Sequence, residues 1–326
     1  MAQENSFIGF DYTTEVQSDF GGKYNWVNLM SLTAGLPSEK INHQWTNGNF
    51  HFDIISVFKT RKERIADDLM TFSNIEEDNL PVNPFVMGYT HQWEKFELFG
   101  GVRNVNNDYF ITPYTSLFTN SSAGIFPTLS LNYPLANYPL SAMCVHLEYL
   151  PTEQIHLKSS LYNGIAHDPR QNVFRTFTVN PQNDGFFSIT EFNVSQNKLG
   201  TGRYALGLTT RSNGVYAAWT EIEQTLYSTG EKEIGCIVHI GIASPKHCRY
   251  YYAVGSHFAN LLTKHDRLGI YLNTTEVSGI RERTMEITWR FQIINSVAIQ
   301  PTYHNLRTGN KTTNIGIVRL LFSVSS

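Results

Sequence analysis

Ten charged residues fall at spacings that would let them act together on one surface. Glu97 and Arg103 are six apart, Arg203 and Arg211 eight, Glu286 and Arg290 four, and Glu221 and Glu223 two. Side chains on an extended chain alternate between faces, so each even separation keeps its two residues on one side. Arg203 and Arg211 then lie opposite Tyr204, Leu206 and Leu208, and Glu286 and Arg290 opposite Trp289. Arg319 lies opposite Leu320 and Phe322, Glu191 belongs with Ile189 and Asn193, and Glu221 and Glu223 share a face with Trp219. A guanidinium offers five fixed donors, and a carboxylate accepts from pairs of hydroxyls. Such a surface, edged by aromatic rings, suits neutral molecules covered in hydroxyl groups. The same Arg and Glu side chains would serve equally to brace a wall, and spacing alone weighs the two roles evenly.

Other chemistries find less support. The three cysteines, Cys144, Cys236 and Cys248, do not make a disulfide framework. Cys236 and His239 are three apart, so on a strand they face opposite sides and cannot ligate one ion. No metal site and no cofactor is expected. Serine, histidine and aspartate are all present, but no G-x-S-x-G elbow or similar nucleophile context appears. No catalytic residue is assigned, and the chain does not read as an enzyme. A net charge of −3 without a basic stripe argues against a nucleic-acid partner.

The elements that would position these residues are strands. Only 16% of the 326 residues are charged, and 13% are aromatic, with 17 Tyr and 21 Phe. No run of about 18 apolar residues is present, so no transmembrane helix is expected. Glu286 to Ile293 sets Ile287, Trp289, Phe291 and Ile293 against Glu286, Thr288, Arg290 and Gln292. The same alternation runs through Phe7 to Gln17, Asn49 to Lys59, Lys95 to Val105, and at fairly even spacing from Ala142 to Val324. It is interrupted twice. Arg61 to Glu77 places Ile65, Leu69 and Phe72 at spacings of four and three, which predicts one short helix, over a barrel mouth or inside it. Phe118 to Pro139, rich in Ser, Asn, Gly and Pro, predicts a long loop. The rhythm predicts fourteen to sixteen strands in one all-β domain over residues 1–326. A soluble sandwich would bury the greasy faces; a transmembrane β-barrel would give them to lipid and the polar faces to a water-filled lumen. In a barrel, a charge on the lipid face costs about 2–4 kcal/mol at the midplane, so nearly all charges would point inward. Met1-Ala2-Gln3-Glu4 lacks the basic start and apolar core of a signal peptide. That start fits a cytoplasmic chain, or a mature exported one carrying an added Met.

Several short motifs, in one order, resemble the carbohydrate-selective porin (OprB-like) family. They are Gly101-Val102-Arg103-Asn104 with Asn107-Asp108-Tyr109-Phe110, Phe118-Thr119-Asn120-Ser121-Ser122-Ala123-Gly124, and Leu161-Tyr162-Asn163-Gly164. Gly185 to Glu191, Arg203-Tyr204-Ala205-Leu206-Gly207, Glu223-Gln224-Thr225-Leu226-Tyr227 and Asp266-Arg267-Leu268-Gly269 continue the order. Glu286-Ile287-Thr288-Trp289, Ile299-Gln300-Pro301-Thr302-Tyr303 and Ile315-Gly316-Ile317-Val318-Arg319-Leu320 close it. The resemblance covers roughly residues 95 to 322. It implies an antiparallel transmembrane β-barrel of about sixteen strands in a Gram-negative outer membrane. It further implies passive diffusion of sugars and other small neutral solutes; in such a barrel, parity places the ten charged residues in the lumen, where paired Arg and Glu are expected to form a constriction. Expected partners are such solutes, outer-membrane lipid and lipopolysaccharide, and either copies of the chain or a larger outer-membrane complex. A docking barrel with little transport of its own is the alternative. The end of the chain, Phe322-Ser323-Val324-Ser325-Ser326, departs from the terminal aromatic common to such barrels.

Overall fold

The computed structural model describes residues 6–197, 200–245 and 247–326; the start of the chain, on which the signal-peptide reading rests, lies outside them. Sixteen strands follow one another as β1 Phe7–Ser18, β2 Tyr24–Pro37, β3 Gly48–Lys59, β4 Leu80–Gln92, β5 Phe96–Arg103, β6 Ala142–Tyr149, β7 Ile155–Asn163 and β8 Phe186–Gln196. The second half is β9 Gly202–Arg211, β10 Tyr216–Thr229, β11 Lys232–Ala243, β12 Cys248–Ala259, β13 Asp266–Val277, β14 Ile280–Ile294, β15 Val297–Thr308 and β16 Lys311–Ser325. Each pairs antiparallel with its sequence neighbours, and β1 closes on β16 with Glu15 opposite Arg319. Closure leaves no free edge, so every strand has its backbone groups paired on both sides. The polar hairpins follow turn chemistry: Ser278 and Gly279 both take positive φ, 51° and 85°, as a tight two-residue turn between β13 and β14 requires.

Parity sorts the two faces as the alternation predicts. Val16, Trp26, Leu32, Phe52, Leu147, Leu161, Leu206, Val254, Leu272 and Leu320 are exposed on the outer face. Aromatics flank this apolar belt, with Trp45, Trp93 and Phe96 at one end and Phe20, Tyr24 and Trp26 at the other. Phe322, the aromatic nearest the chain end, meets Phe10 edge-on at 6.4 Å across the closing seam.

The two ends of the barrel differ. Residues 93–95, 150–154, 230–231 and 295–296 are tight turns at the end where β1 begins and β16 finishes. At the opposite end, residues 60–79, 104–141 and 164–185 form long connections. The predicted helix over Arg61 to Glu77 does not form: the segment is a string of turns and bends. Its i, i+4 spacing arises instead from an irregular path, with Thr71 at φ 53°. Ile65, Ala66 and Phe72 pack on Leu306, Ile315 and Ile317 of the wall inside the barrel. The long loop starts earlier than Phe118, at Asn104, and carries only short helical turns such as Thr115–Leu117 and Pro127–Ser130. It also enters the barrel: Phe110, Phe118, Phe126 and Leu129 are buried with Trp219, Ile237, Tyr251 and Tyr271 of the wall.

A lumen narrowed by two inserted segments

Wall carboxylates hold the inserted segments through backbone amides. Glu282 accepts from Leu69 N at 2.7 Å and Met70 N at 2.8 Å. Glu286 accepts from Thr119 N at 2.7 Å and Asn120 N at 3.0 Å, and from the Thr119 hydroxyl. Glu223 accepts from Tyr114 N at 3.1 Å and Thr115 N at 3.2 Å, and from the Thr112 hydroxyl. Each carboxylate satisfies two successive N–H groups that a non-helical buried segment would otherwise leave unpaired. This also explains how the segments do without helical hydrogen bonds. Gln300 adds a donor to Leu117 O at 2.6 Å, and Thr119 Oγ1 lies 2.8 Å from His304 Nε2. Tyr114 stacks on His257 with centroids 4.5 Å apart and donates to Glu233.

Room for the loop comes from the wall. A Cβ at Gly269 would stand 2.7 Å from the Phe118 ring, and one at Gly235 would stand 2.2 Å from the Tyr114 ring. Both glycines face inward in the middle of strand sequences, where side chains normally fill a barrel. That was the signal in the sequence for an object lying against this wall.

All ten predicted residues sit on strands of the inner face, in three different settings. Glu191, Glu221 and Glu286 are fully buried, and Glu223 is 5% exposed, so loop and wall cover them. Arg203 bridges Glu191 and Glu221 at 3.0 Å each, and Trp219 Nε1 donates to Glu191. Arg319 pairs with Glu15 at 2.8 Å and donates to Asn74 of the first inserted segment. Arg211 donates to Asp184 O at 3.4 Å near the long-loop end. Glu97 accepts from Gln92 at 2.9 Å and is half-buried. Glu97 and Arg103 make no contact with each other, nor do Glu286 and Arg290. Arg103 pairs instead with Asp108 at 3.1 Å and lies over the Phe99 ring.

Arg290 faces a cavity of about 650 Å³ at the short-turn end, beside its cross-strand neighbour Arg267. Two smaller cavities, of about 280 and 170 Å³, lie between the inserted segments. They share Asn74, Ser121, Ile125, Asn137 and Tyr138. The larger reaches Leu29 and Phe85 of the wall and is lined by amides, two hydroxyls and apolar groups, with no charged side chain. The smaller opens past Glu76 and Glu77. On β1 to β3, the inward Thr13, Ser31, Thr33 and Asp53 stay partly exposed beyond the reach of the loop.

A cluster around Asp108 shows why ligand-type residues need not bind metal. Asp108, His146 and Glu148 bring three donor atoms within 4.8 Å. Arg103 already occupies Asp108, Lys158 donates to the Asp108 carbonyl at 2.6 Å, and His156 lies 2.6 Å from Glu148. Two fixed cations beside the donors disfavour a further one. Burial pushes the Asp108 carboxyl up, against the pull of Arg103 and His146. Burial likewise raises the Tyr114 hydroxyl. Cys236 and His239 do point to opposite faces, His239 inward against Tyr271 at 2.9 Å.

No family model matches the sequence, and no curated protein matches it. Solved structures do. The high-pH structure of Pseudomonas putida OprB superposes with a TM-score of 0.84 at 14% identity, over 98% of this chain and 94% of that one. A mutant of Rhodopseudomonas blastica porin matches with a TM-score of 0.62 at 9% identity, over 98% and 99%. A loop-deletion mutant of OmpT, an outer membrane protein of Vibrio cholerae, gives 0.62 at 10%, over 98% and 99%. The chain therefore has the sixteen-stranded closed-barrel fold seen in these outer-membrane proteins, with the OprB structure aligning along nearly all of both chains.

Proposed function

We propose that this chain is an outer-membrane porin: a passive channel, without catalytic activity, for sugars and other small neutral solutes. The observation that carries this reading is the cavity without charged side chains between the inserted segments, lined by Asn74, Asn106, Asn107, Ser121, Asn137 and Tyr138. Amides and hydroxyls replace a solute's water by donating and accepting at once, and none holds it with a full charge. Tyr138 and Phe85 add aromatic surface for the apolar face of a sugar ring. The exposed apolar belt with its aromatic margins supports a membrane setting, and the shared fold supports an outer-membrane one. The ten charged residues then divide: those beneath the loop hold the constriction in place, while Glu97, Arg103 and Arg290 border the solute path.

Liposome swelling with a graded sugar series tests this. Monosaccharides are expected to enter faster than disaccharides, and Arg103→Ala is expected to alter block of the single-channel current by sugar. Absence of swelling from folded, inserted protein would overturn the reading in favour of a docking barrel with little transport. The filled lumen gives that second reading its support, since the cavities between the inserted segments are small.

A further inference from the structure

The outer face carries a groove that the lumen does not explain. About 460 Å³ in volume, it crosses β12 to β15 toward the long-loop end. Tyr252, Val254, Leu272 and Met285 give it an apolar floor, and Arg283 and Arg307 stand on its border. The two arginines are register partners on β14 and β15, and both are exposed. Their chain neighbours Glu282, Thr284 and Leu306 are buried on the inner side, so parity turns both guanidiniums outward. Among the described residues, neither makes an ion pair or a hydrogen bond. Glu276, the outward carboxylate on the next strand, is taken by Arg281 at 3.3 Å and Tyr250 at 3.0 Å.

Like charges directly opposite on neighbouring strands destabilise the pair. A lipid-facing charge adds a further cost, which falls off only near the interface. Two unpaired guanidiniums side by side over an apolar groove therefore lack a partner with negative charge and hydrocarbon together. We propose that this groove binds one phosphate-bearing membrane lipid. Its phosphate sits between Arg283 and Arg307, and an acyl chain lies along Leu272, Val254 and Met285. The planar guanidinium fork matches phosphate oxygens two at a time. The inference rests on the membrane setting of the proposed function, but not on conduction.

Native mass spectrometry of the folded barrel in a non-ionic detergent tests it with three probes. These are dimyristoyl phosphatidylglycerol, the matching diacylglycerol without phosphate, and glycerol phosphate without chains. The wild-type barrel is expected to retain phosphatidylglycerol and to release the other two. Arg283→Gln with Arg307→Gln is expected to weaken retention about thirty-fold, the order for losing two arginine contacts to an anionic lipid. Folding of the variant is checked by its heat-dependent gel mobility. Independently of any variant, raising the salt concentration is expected to strip phosphatidylglycerol from the wild type. Equal retention by wild type and variant, or equal retention of phosphatidylglycerol and diacylglycerol, would overturn the assignment. Conductance plays no part in this readout, so failure of the porin reading and failure of the lipid site are seen separately.

Discussion

The inner wall of this barrel is two surfaces. From β8 to β15 much of the inward face lies under the inserted segments: Glu191, Glu221, Glu286, Thr288 and His304 are fully buried. From β1 to β3 the inward Thr13, Ser31, Thr33 and Asp53 remain partly exposed. Both surfaces have the same strand parity and the same mixture of acids and hydroxyls. On the covered side carboxylates are structural acceptors, held by loop amides at Glu286 and by Arg203 at Glu191 and Glu221. On the open side Asp53 accepts from the Ser31 hydroxyl and stays partly exposed. A charge that points inward is thus not by that fact a charge that lines a pore.

The largest expected effect comes from removing the cover. Replacing residues 106–137 with a short Gly-Ser linker is expected to raise single-channel conductance several-fold and to abolish sugar block, as read in planar bilayers. Unchanged conductance would show that the loop does not narrow the path. Glu286→Ala acts next, because it strips the acceptor from Thr119 N and Asn120 N. Each buried donor left unpaired costs about 1–3 kcal/mol, so thermal unfolding in detergent should shift downward and open-channel noise should rise. Gly269→Val tests the same contact from the wall. Its Cβ would meet the Phe118 ring at 2.7 Å, and overpacking of this kind costs about 1–3 kcal/mol. A loosened loop, seen as faster proteolysis within residues 113–126, is the expected outcome.

Asp53→Asn on the open wall should do least to stability. Its partner Ser31 donates at 2.6 Å, and an Asn oxygen can still accept that bond. The expected change is under about 0.5 kcal/mol in stability, with reversal potential in a salt gradient moving toward anion preference. A stability loss matching that of Glu286→Ala would erase the distinction between the two walls.

Several misreadings in the sequence share one cause. Ile65, Leu69 and Phe72 look helical because their spacing fits a helix, but spacing reports only which residues seek burial, not the path that buries them. Here the wall supplies what the helix would have supplied, an acceptor on Glu282 for each of Leu69 N and Met70 N. Sharing a face is likewise not touching: Glu97 makes no contact with Arg103, nor does Glu286 with Arg290. Residues four or six apart on one strand share a face but stand too far apart to touch. Their true partners, Asp108 for Arg103 and the 119–120 amides for Glu286, come from a loop. Tyr114, Glu282 and Arg267 carry no separate signal in the sequence, and the glycines at 235 and 269, which could have shown that something lies against the wall, were not read that way.

In the sequence it was the ordered porin-like motifs, and not the alternation, that pointed to a barrel; what alternation with period two did settle is which side chains share a face. That is a local property, because neighbouring residues on a strand must point to opposite sides. What lies inside is not local. Only tertiary structure decided that residues 61–79 and 105–141 fold into the lumen, that Glu223, Glu282 and Glu286 anchor them, and that one side of the wall is left open. Those contacts join residues more than a hundred positions apart, and no spacing along the chain encodes them.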